Sequence, residues 1–222
     1  MSTPIRLLLV DDDPLVRSGL RFLFDSTPDV KVIAEAGDGS EAIAAVRAHS
    51  PDVVLMDLLM PGVDGIAATA EIKRSPASPH VIALTTWDVN DAVIRSLEAG
   101  ASGFMLKTAP PPHIIAAVRA VHSGDAVLSP RSTRQLLDHL RRDETVHHRR
   151  AAEQALGSLT DREREVCIAA ALGLSNAEIA GRLFISDATV KSHLSAIQVK
   201  LGLRNRVEVA VLTERAGLLR QG

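Results

Sequence analysis

The chain has 222 residues, of which 46% are apolar and 23% are charged, with a formal net charge of −2. This balance is typical of a globular protein of one large or two small domains, and it excludes a disordered or fibrous chain. No apolar run approaches the roughly 20 residues that a membrane-spanning helix needs, and the first residues show no secretion signal, so we expect a cytoplasmic protein. The single cysteine, Cys167, excludes an internal disulfide bond and a cysteine-based zinc site.

Charge is divided unevenly along the chain. Residues 1–125 carry a net charge of −6, whereas residues 126–155 and 156–222 each carry +2. An acidic front and a mildly basic rear indicate two modules with different partners. Residues 125–155 are also rich in arginine and histidine and poor in large apolar side chains, so we predict a charged linker there, without a core of its own.

The first 124 residues alternate short apolar runs with amphipathic stretches. The apolar runs are 5–10, 30–34, 53–56, 81–84 and 103–106, and the amphipathic stretches are 14–26, 39–49, 64–74, 90–99 and 112–123. Apolar runs without polar alternation are typical of strands covered on both faces, and strands that alternate with helices form parallel sheets. We therefore predict a doubly wound, flavodoxin-like α/β domain of five βα units over residues 1–124.

Residues 156–222 are predicted to form a small all-α domain of four helices. Capping boxes begin at Thr160 and Ser175, Ser186 caps a third helix that ends at Gly202, and a fourth helix begins near Arg206. The short turn between the second and third helices is typical of a helix-turn-helix.

The carboxyl ends of the predicted strands carry groups with complementary chemistry. Asp11 and Asp12 follow the first strand, Asp57 ends the third, Thr85 the fourth and Lys107 the fifth. In a flavodoxin-like sheet the first and third strands are neighbours, which brings the carboxylates into one cleft. Three close carboxylates need a counter-charge, and a set of oxygen ligands suits Mg²⁺.

Each of these residues taken singly has an ordinary explanation. An Asp after a strand is usually a turn or cap residue, and a lone Lys or Thr at a strand end needs no function. Their combination predicts phosphoryl transfer, because a metal ion, an ammonium and a hydroxyl together neutralise the charge of a phosphoryl group in transfer. One carboxylate of the cleft would act as the nucleophile and hold the phosphoryl group as an acyl phosphate.

Four motifs occur in order along the first domain, namely LLLVDD at 7–12, VVLMDLLMPGVDG at 53–65, ALTT at 83–86 and GASGFMLK at 100–107. With them, residues 5–124 resemble the receiver domain of bacterial two-component response regulators. The resemblance implies that Asp57 is the phosphoacceptor. It also implies that Mg²⁺ is bound directly by Asp12 and Asp57, through water by Asp11, and by the carbonyl of Leu59.

The same resemblance assigns the remaining site residues. Thr85 and Lys107 would sense the phosphoryl group, and Phe104 would occupy the position of the switch aromatic. Such a domain is not an enzyme for other substrates, because it promotes only its own phosphotransfer and dephosphorylation. The family often has a cis proline after the lysine, and Thr108 at this position leaves the geometry of the peptide open.

The third helix of the second domain has two distinct faces. A stripe predicted to be buried consists of Val190, Leu194, Ile197 and Leu201, and the opposite face carries Ala188, Lys191, Ser192, Ser195 and Val199. Small, hydroxylated and cationic groups suit a helix that lies in the major groove of DNA. The periodicity alone describes an ordinary amphipathic helix equally well.

Three motifs cover most of this domain, namely LTDREREV at 159–166, GLSNAEIAGRLFIS at 173–186 and ATVKSHLSAIQVKLG at 188–202. They resemble the LuxR-type helix-turn-helix. The resemblance implies base contacts by Lys191, Ser192 and Ser195, and phosphate contacts by Thr189, Lys200 and Arg206. The family often has Asn near 196 and a basic residue near 199, and the missing charge at Val199 would weaken phosphate affinity.

A receiver followed by a LuxR-type domain is the arrangement of the NarL/FixJ class of response regulators. We expect a Mg²⁺-dependent, phosphorylation-switched transcription regulator whose partners are a sensor histidine kinase, promoter DNA and a second copy of itself. One alternative is a regulator that works without phosphorylation and keeps a vestigial receiver. A remoter alternative is a Mg²⁺-dependent phosphohydrolase with Asp57 as nucleophile, although such enzymes typically place a second acid where this chain has Leu59.

Overall fold

A computed structural model describes residues 3–75, 78–86, 90–129, 132–133, 135–136 and 146–221. The chain forms two compact units: Met1–Ser123 with Val127–Thr133, and Gly124–Ala126 with Arg134–Gly222. None of the described helices has the length and apolar character needed to cross a bilayer.

The first unit is a parallel α/β sandwich. Its strands are β1 (Ile5–Val10), β2 (Val30–Ala36), β3 (Val53–Asp57), β4 (His80–Thr85), β5 (Gly103–Leu106) and β6 (Val127–Leu128). The helices between them are α1 (Pro14–Asp25), α2 (Gly39–His49), α3 (Gly65–Ile72), α4 (Asn90–Glu98) and α5 (Pro111–His122). The sheet order is β2-β1-β3-β4-β5-β6, with every pair parallel, which confirms the predicted flavodoxin-like class.

Alternation along each strand sends successive side chains into two different cores. On β1, Leu7 and Leu9 pack with Phe24 of α1 and Val118 of α5. Leu8 and Val10 face the other way, toward Ala42, Ala68 and Ile72 of α2 and α3. Because both faces of the strand are covered from Leu7 to Val10, these four residues are all apolar, and the exposed Arg6 lies before them.

The segment predicted as a linker differs from the prediction at two described places. Val127–Leu128 forms the sixth strand, in register with Gly103 and Phe104 of β5. Helix α6 (Val146–Gly157) contributes the buried side chains of Ala152 and Leu156 to the core of the second unit. The most charged stretch, 137–145, lies outside the described residues.

The second unit is helical, as predicted. After α6 come α7 (Asp161–Ala171), α8 (Asn176–Leu183), α9 (Asp187–Leu201), α10 (Arg206–Arg215) and a 3₁₀ turn at Leu218–Gln221. Thr160 and Ser175 each form the predicted capping box. Ser186 caps α9, which ends at Gly202 in the left-handed region, with φ of 66°.

Candidate metal centre and nucleic-acid interface

The carboxyl ends of β1 and β3 bring three carboxylates together. Val10 is in register with Met56, so the next residues, Asp11 and Asp57, lie side by side. One carboxylate oxygen from each of Asp11, Asp12 and Asp57 lies within 4.8 Å of the others. Asp11 and Asp57 are buried, with 1% and 3% of their surfaces exposed, while Asp12 faces solvent.

Lys107 balances part of this charge. Its Nζ lies 2.6 Å from Asp11 Oδ2 and 2.9 Å from Asp57 Oδ2, and its backbone N–H donates to the Thr85 carbonyl at 2.8 Å. Lys107 pairs with two of the three carboxylates, so the cluster keeps an excess of negative charge. The donor set therefore fits a hard divalent cation, which prefers oxygen ligands.

Burial and charge act in opposite directions on the titration of this site. Burial raises the pKa of Asp57 above its ordinary value, against the hydrogen bond from Lys107, while the negative charge of Asp11 adds to the rise. For Lys107, burial lowers the pKa, but the hydrogen bonds to Asp11 and Asp57 outweigh it, so the pKa of the ammonium is raised. Lys107 accordingly stays charged at neutral pH.

The other predicted site residues lie around this cluster. Thr85 ends β4 and is 2% exposed, and Phe104 on the neighbouring β5 is 1% exposed. Leu59 is 62% exposed, and its N–H donates to Asp57 Oδ1 at 3.4 Å. The peptide that joins Lys107 to Thr108 is trans.

Two further residues support the site. Gly65 ends the motif at 53–65, whereas Arg17 carried no clear signal in the sequence. A Cβ added at Gly65 would lie 1.9 Å from the Asp57 carbonyl oxygen, so only glycine fits where α3 begins behind the site. Arg17 of α1 reaches back to the Asp11 carbonyl, where its Nη1 donates at 2.5 Å, and its Nε lies 3.5 Å from Glu35 of β2. Arg17 thus ties the acidic loop to two elements at once.

The exposed face of α9 carries most of the predicted DNA contacts. Val190, Leu194 and Ile197 are buried, as their periodicity predicts. On the other face, Ser192 and Ser195 are exposed. Thr189, which is half-buried, supports the helix start, because its N–H donates to the Ser186 hydroxyl at 3.1 Å.

The predicted cations of this domain all have partners within it. Lys191 Nζ lies 3.3 Å from Asp187 Oδ2, and Lys200 Nζ lies 3.1 Å from Glu163 Oε2. Arg206 needs a correction: it is 8% exposed, and its guanidinium donates to Asn176 Oδ1 at 2.6 Å and to the Leu174 carbonyl. A guanidinium committed to these acceptors in the interior does not fit the expected phosphate contact.

Comparison with known families matches both units. The family described as "Response regulator receiver domain" covers residues 7–119, and "Bacterial regulatory proteins, luxR family" covers residues 157–213. The chain belongs to the response regulators of the NarL/LuxR type, which makes it a DNA-binding regulator of a two-component system.

Individual relatives agree over nearly the full length. The transcriptional regulatory protein LiaR of Bacillus subtilis is 41% identical over 217 residues, which is 97% of this chain and 99% of LiaR. The nitrate/nitrite response regulator protein NarP of Escherichia coli is 37% identical over 211 residues, 95% of each chain. The crystal structure of the response regulator ChrA of a heme-sensing two-component system covers 98% of this chain and 100% of ChrA, at 37% identity and a TM-score of 0.53.

Proposed function

We propose that Asp57 accepts a phosphoryl group from a sensor histidine kinase or a small phosphodonor, and that this modification controls binding of the second domain to promoter DNA. The observation that carries the proposal is the cluster of Asp11, Asp12 and Asp57 around the ammonium of Lys107 at the edge of the sheet. The domains that we assign are a receiver over 1–124 and a DNA-binding domain over 156–222. The charged segment 125–155 between them supplies β6 to the receiver sheet and most of α6 to the core of the second unit. Because promoter DNA is its target, the protein would act in the cytoplasm.

The first step is a nucleophilic attack by a carboxylate oxygen of Asp57 on the donor phosphorus. A new O–P bond forms as the bond from phosphorus to the donor breaks, and the product is an acyl phosphate. Asp11, Asp12, Asp57 and the carbonyl of Leu59 would hold Mg²⁺. When bound, Mg²⁺ neutralises negative charge on the phosphoryl oxygens. The ammonium of Lys107 adds a second positive charge at the same place.

The second step is a rearrangement around the new dianion. A phosphoryl group on Asp57 carries strong acceptor oxygens, which would draw in the hydroxyl of Thr85 and the ammonium of Lys107. Phe104, expected to move inward on phosphorylation, is already buried here, so it would instead repack beside Thr85. The outer face of the last receiver helices would then change and favour a homodimer. Attack of water on phosphorus later releases inorganic phosphate and restores the carboxylate, so the receiver turns over only its own phosphoryl group.

DNA recognition is assigned to α9. Lys191, Ser192 and Ser195 would contact base edges in the major groove, while Thr189 and Lys200 would contact phosphates. A dimer would place two such helices on two half-sites about one turn of DNA apart.

Footprinting of promoter fragments, with and without acetyl phosphate and Mg²⁺, tests the proposal. The wild type should protect a site more strongly after phosphorylation, whereas Asp57→Asn should show no such gain. Asp25→Asn, at an exposed position that ends α1, is the matched control and should behave as the wild type. Equal protection by the wild type and Asp57→Asn under all conditions would contradict the switch and favour a regulator that works without phosphorylation.

A further inference from the structure

Both lysines of α9 are paired with carboxylates of their own domain. Lys191 pairs with Asp187, one turn earlier in the helix, at 3.3 Å. Lys200 pairs with Glu163 of α7, 37 residues away in sequence, at 3.1 Å. The two lysines are nine positions apart, so they lie on opposite sides of α9, flanking the exposed face that would approach DNA, and each is paired there with its counter-charge.

The two pairs are held differently. Asp187 and Lys191 are both nearly half exposed, with side-chain exposures of 49% and 43%, so their pair is weak and a phosphate oxygen could displace it. Glu163 is only 13% exposed and is fixed by a capping box, because it accepts hydrogen bonds from the Thr160 N–H at 2.8 Å and from its hydroxyl at 3.1 Å. These contacts with Thr160 hold the Glu163 carboxylate in place independently of Lys200.

These pairs change the electrostatic gain of DNA binding. A free lysine that neutralises one phosphate releases condensed cations and contributes about 0.9 to the slope of log affinity against log salt. A lysine that must leave a carboxylate exchanges one anion for another, and the abandoned carboxylate attracts a cation in turn. The net release of ions is then small.

We propose that Asp187 and Glu163 compete with DNA phosphates for Lys191 and Lys200, and so hold down the affinity of this domain for DNA of arbitrary sequence. On such DNA Lys191 has no matching base edge and would neutralise a phosphate instead. This inference rests on the proposed contact of α9 with DNA. Its consequence is that one domain alone binds weakly and that tight binding needs two domains on neighbouring half-sites. Asp187 and Glu163 act through the lysines and are positioning residues.

Fluorescence anisotropy with the full-length, unphosphorylated protein and a labelled duplex of arbitrary sequence tests the competition. Asp187→Asn should bind more tightly than the wild type and steepen the salt slope by about 0.9. The ratio of its affinity for the duplex to the wild-type affinity should therefore grow about 3.5-fold as salt falls from about 200 to about 50 mM. Glu163→Gln should act in the same direction, and it keeps the capping box because Gln also serves at that position.

Lysine variants separate competition from simple repulsion. In a Lys191→Gln background, Asp187→Asn should no longer steepen the slope, and Glu163→Gln should have no effect in a Lys200→Gln background. Glu153→Gln is the matched control. It removes a carboxylate that is also paired four residues away on its own helix, with Arg149 of α6 at 3.0 Å, and it should leave the salt slope unchanged.

Three results would overturn the inference. If the gain from Asp187→Asn persists without Lys191, the carboxylate merely repels DNA. If neither acid variant changes the slope, the pairs do not compete with phosphates. If neither the variants nor the phosphorylated protein bind any duplex, the proposed DNA contact itself is wrong. This result differs from DNA binding that the acid variants leave unchanged, which contradicts only the competition.

Discussion

Replacement of Lys107 by Met gives the most direct energetic probe of the acidic cluster. The change removes the ammonium that lies 2.6 Å from Asp11 and 2.9 Å from Asp57, and keeps a side chain of similar length. Only 12% of the Lys107 side chain is exposed, and the two carboxylates are almost fully buried, so water replaces little of the lost charge. Removing one partner of a buried pair costs about 3–5 kcal/mol, a large part of the roughly 5–15 kcal/mol that stabilises a domain.

The loss of stability caused by Lys107→Met should depend on pH and on Mg²⁺. The pKa of Asp57 is already raised by burial, and loss of Lys107 raises it further, so the folded variant binds a proton more readily than the unfolded chain does. Stability of the variant should therefore fall as pH rises from acidic to neutral values. Mg²⁺ supplies the missing positive charge, so the variant should bind Mg²⁺ more tightly than the wild type and lose less stability in saturating Mg²⁺ than in EDTA. A tenfold difference in dissociation constant would reduce the loss by about 1.4 kcal/mol.

Urea unfolding followed by the fluorescence of Trp87, the single tryptophan of the chain, measures both effects in the receiver. Lys31→Met, at an exposed position on β2, is the matched control and should change stability little in either buffer. If Lys107→Met costs less than about 1 kcal/mol in EDTA, the buried pairs contribute no more than exposed ones and the electrostatic account is wrong. An equal loss in EDTA and in Mg²⁺ would contradict tighter Mg²⁺ binding by the variant, because Mg²⁺ would then stabilise both proteins alike.

Two further substitutions and one labelling experiment have defined outcomes. Gly65→Ala places a methyl group 1.9 Å from the Asp57 carbonyl oxygen, so urea unfolding should show a loss of about 1–3 kcal/mol or more, with slower phosphorylation on phosphate-affinity gels. Thr85→Val removes a buried hydroxyl at nearly constant volume, and it should leave Asp57 phosphorylated but abolish the phosphorylation-dependent rise in DNA affinity measured by anisotropy. Burial and the charge of Glu163 raise the pKa of Cys167 to about 11, so an aromatic disulfide reagent at pH 8 should label this thiol only in urea; rapid labelling of the folded protein would contradict its burial.

The sheet and the acidic cluster could be predicted because their signals lie in consecutive residues. A strand that is buried on both faces is apolar throughout, and the residue that follows it must lie at the carboxyl edge of a parallel sheet. Asp11 and Asp57 therefore meet once the first and third strands are neighbours, as the register of Val10 with Met56 places them. The pattern located this edge without any knowledge of the loops.

Features that depend on partners distant in sequence could not be predicted. The resemblance to the LuxR-type helix-turn-helix implies phosphate contacts by Lys200 and Arg206, yet their partners, Glu163 and Asn176, belong to other helices. Helix periodicity distinguishes a buried face from an exposed one, but it does not show which acceptor an exposed-looking cation reaches. Two-residue β6 was missed for a related reason, since its pairing with β5 is set by the sheet and not by its own sequence.

Intact-protein mass after incubation with acetyl phosphate and Mg²⁺, beside the Asp57→Asn variant, tests the central claim most directly. We predict that the wild type gains one phosphoryl group and that the variant gains none. A folded wild type that gains nothing, or a variant that gains a phosphoryl group equally, would contradict the assignment of Asp57 as the phosphoacceptor.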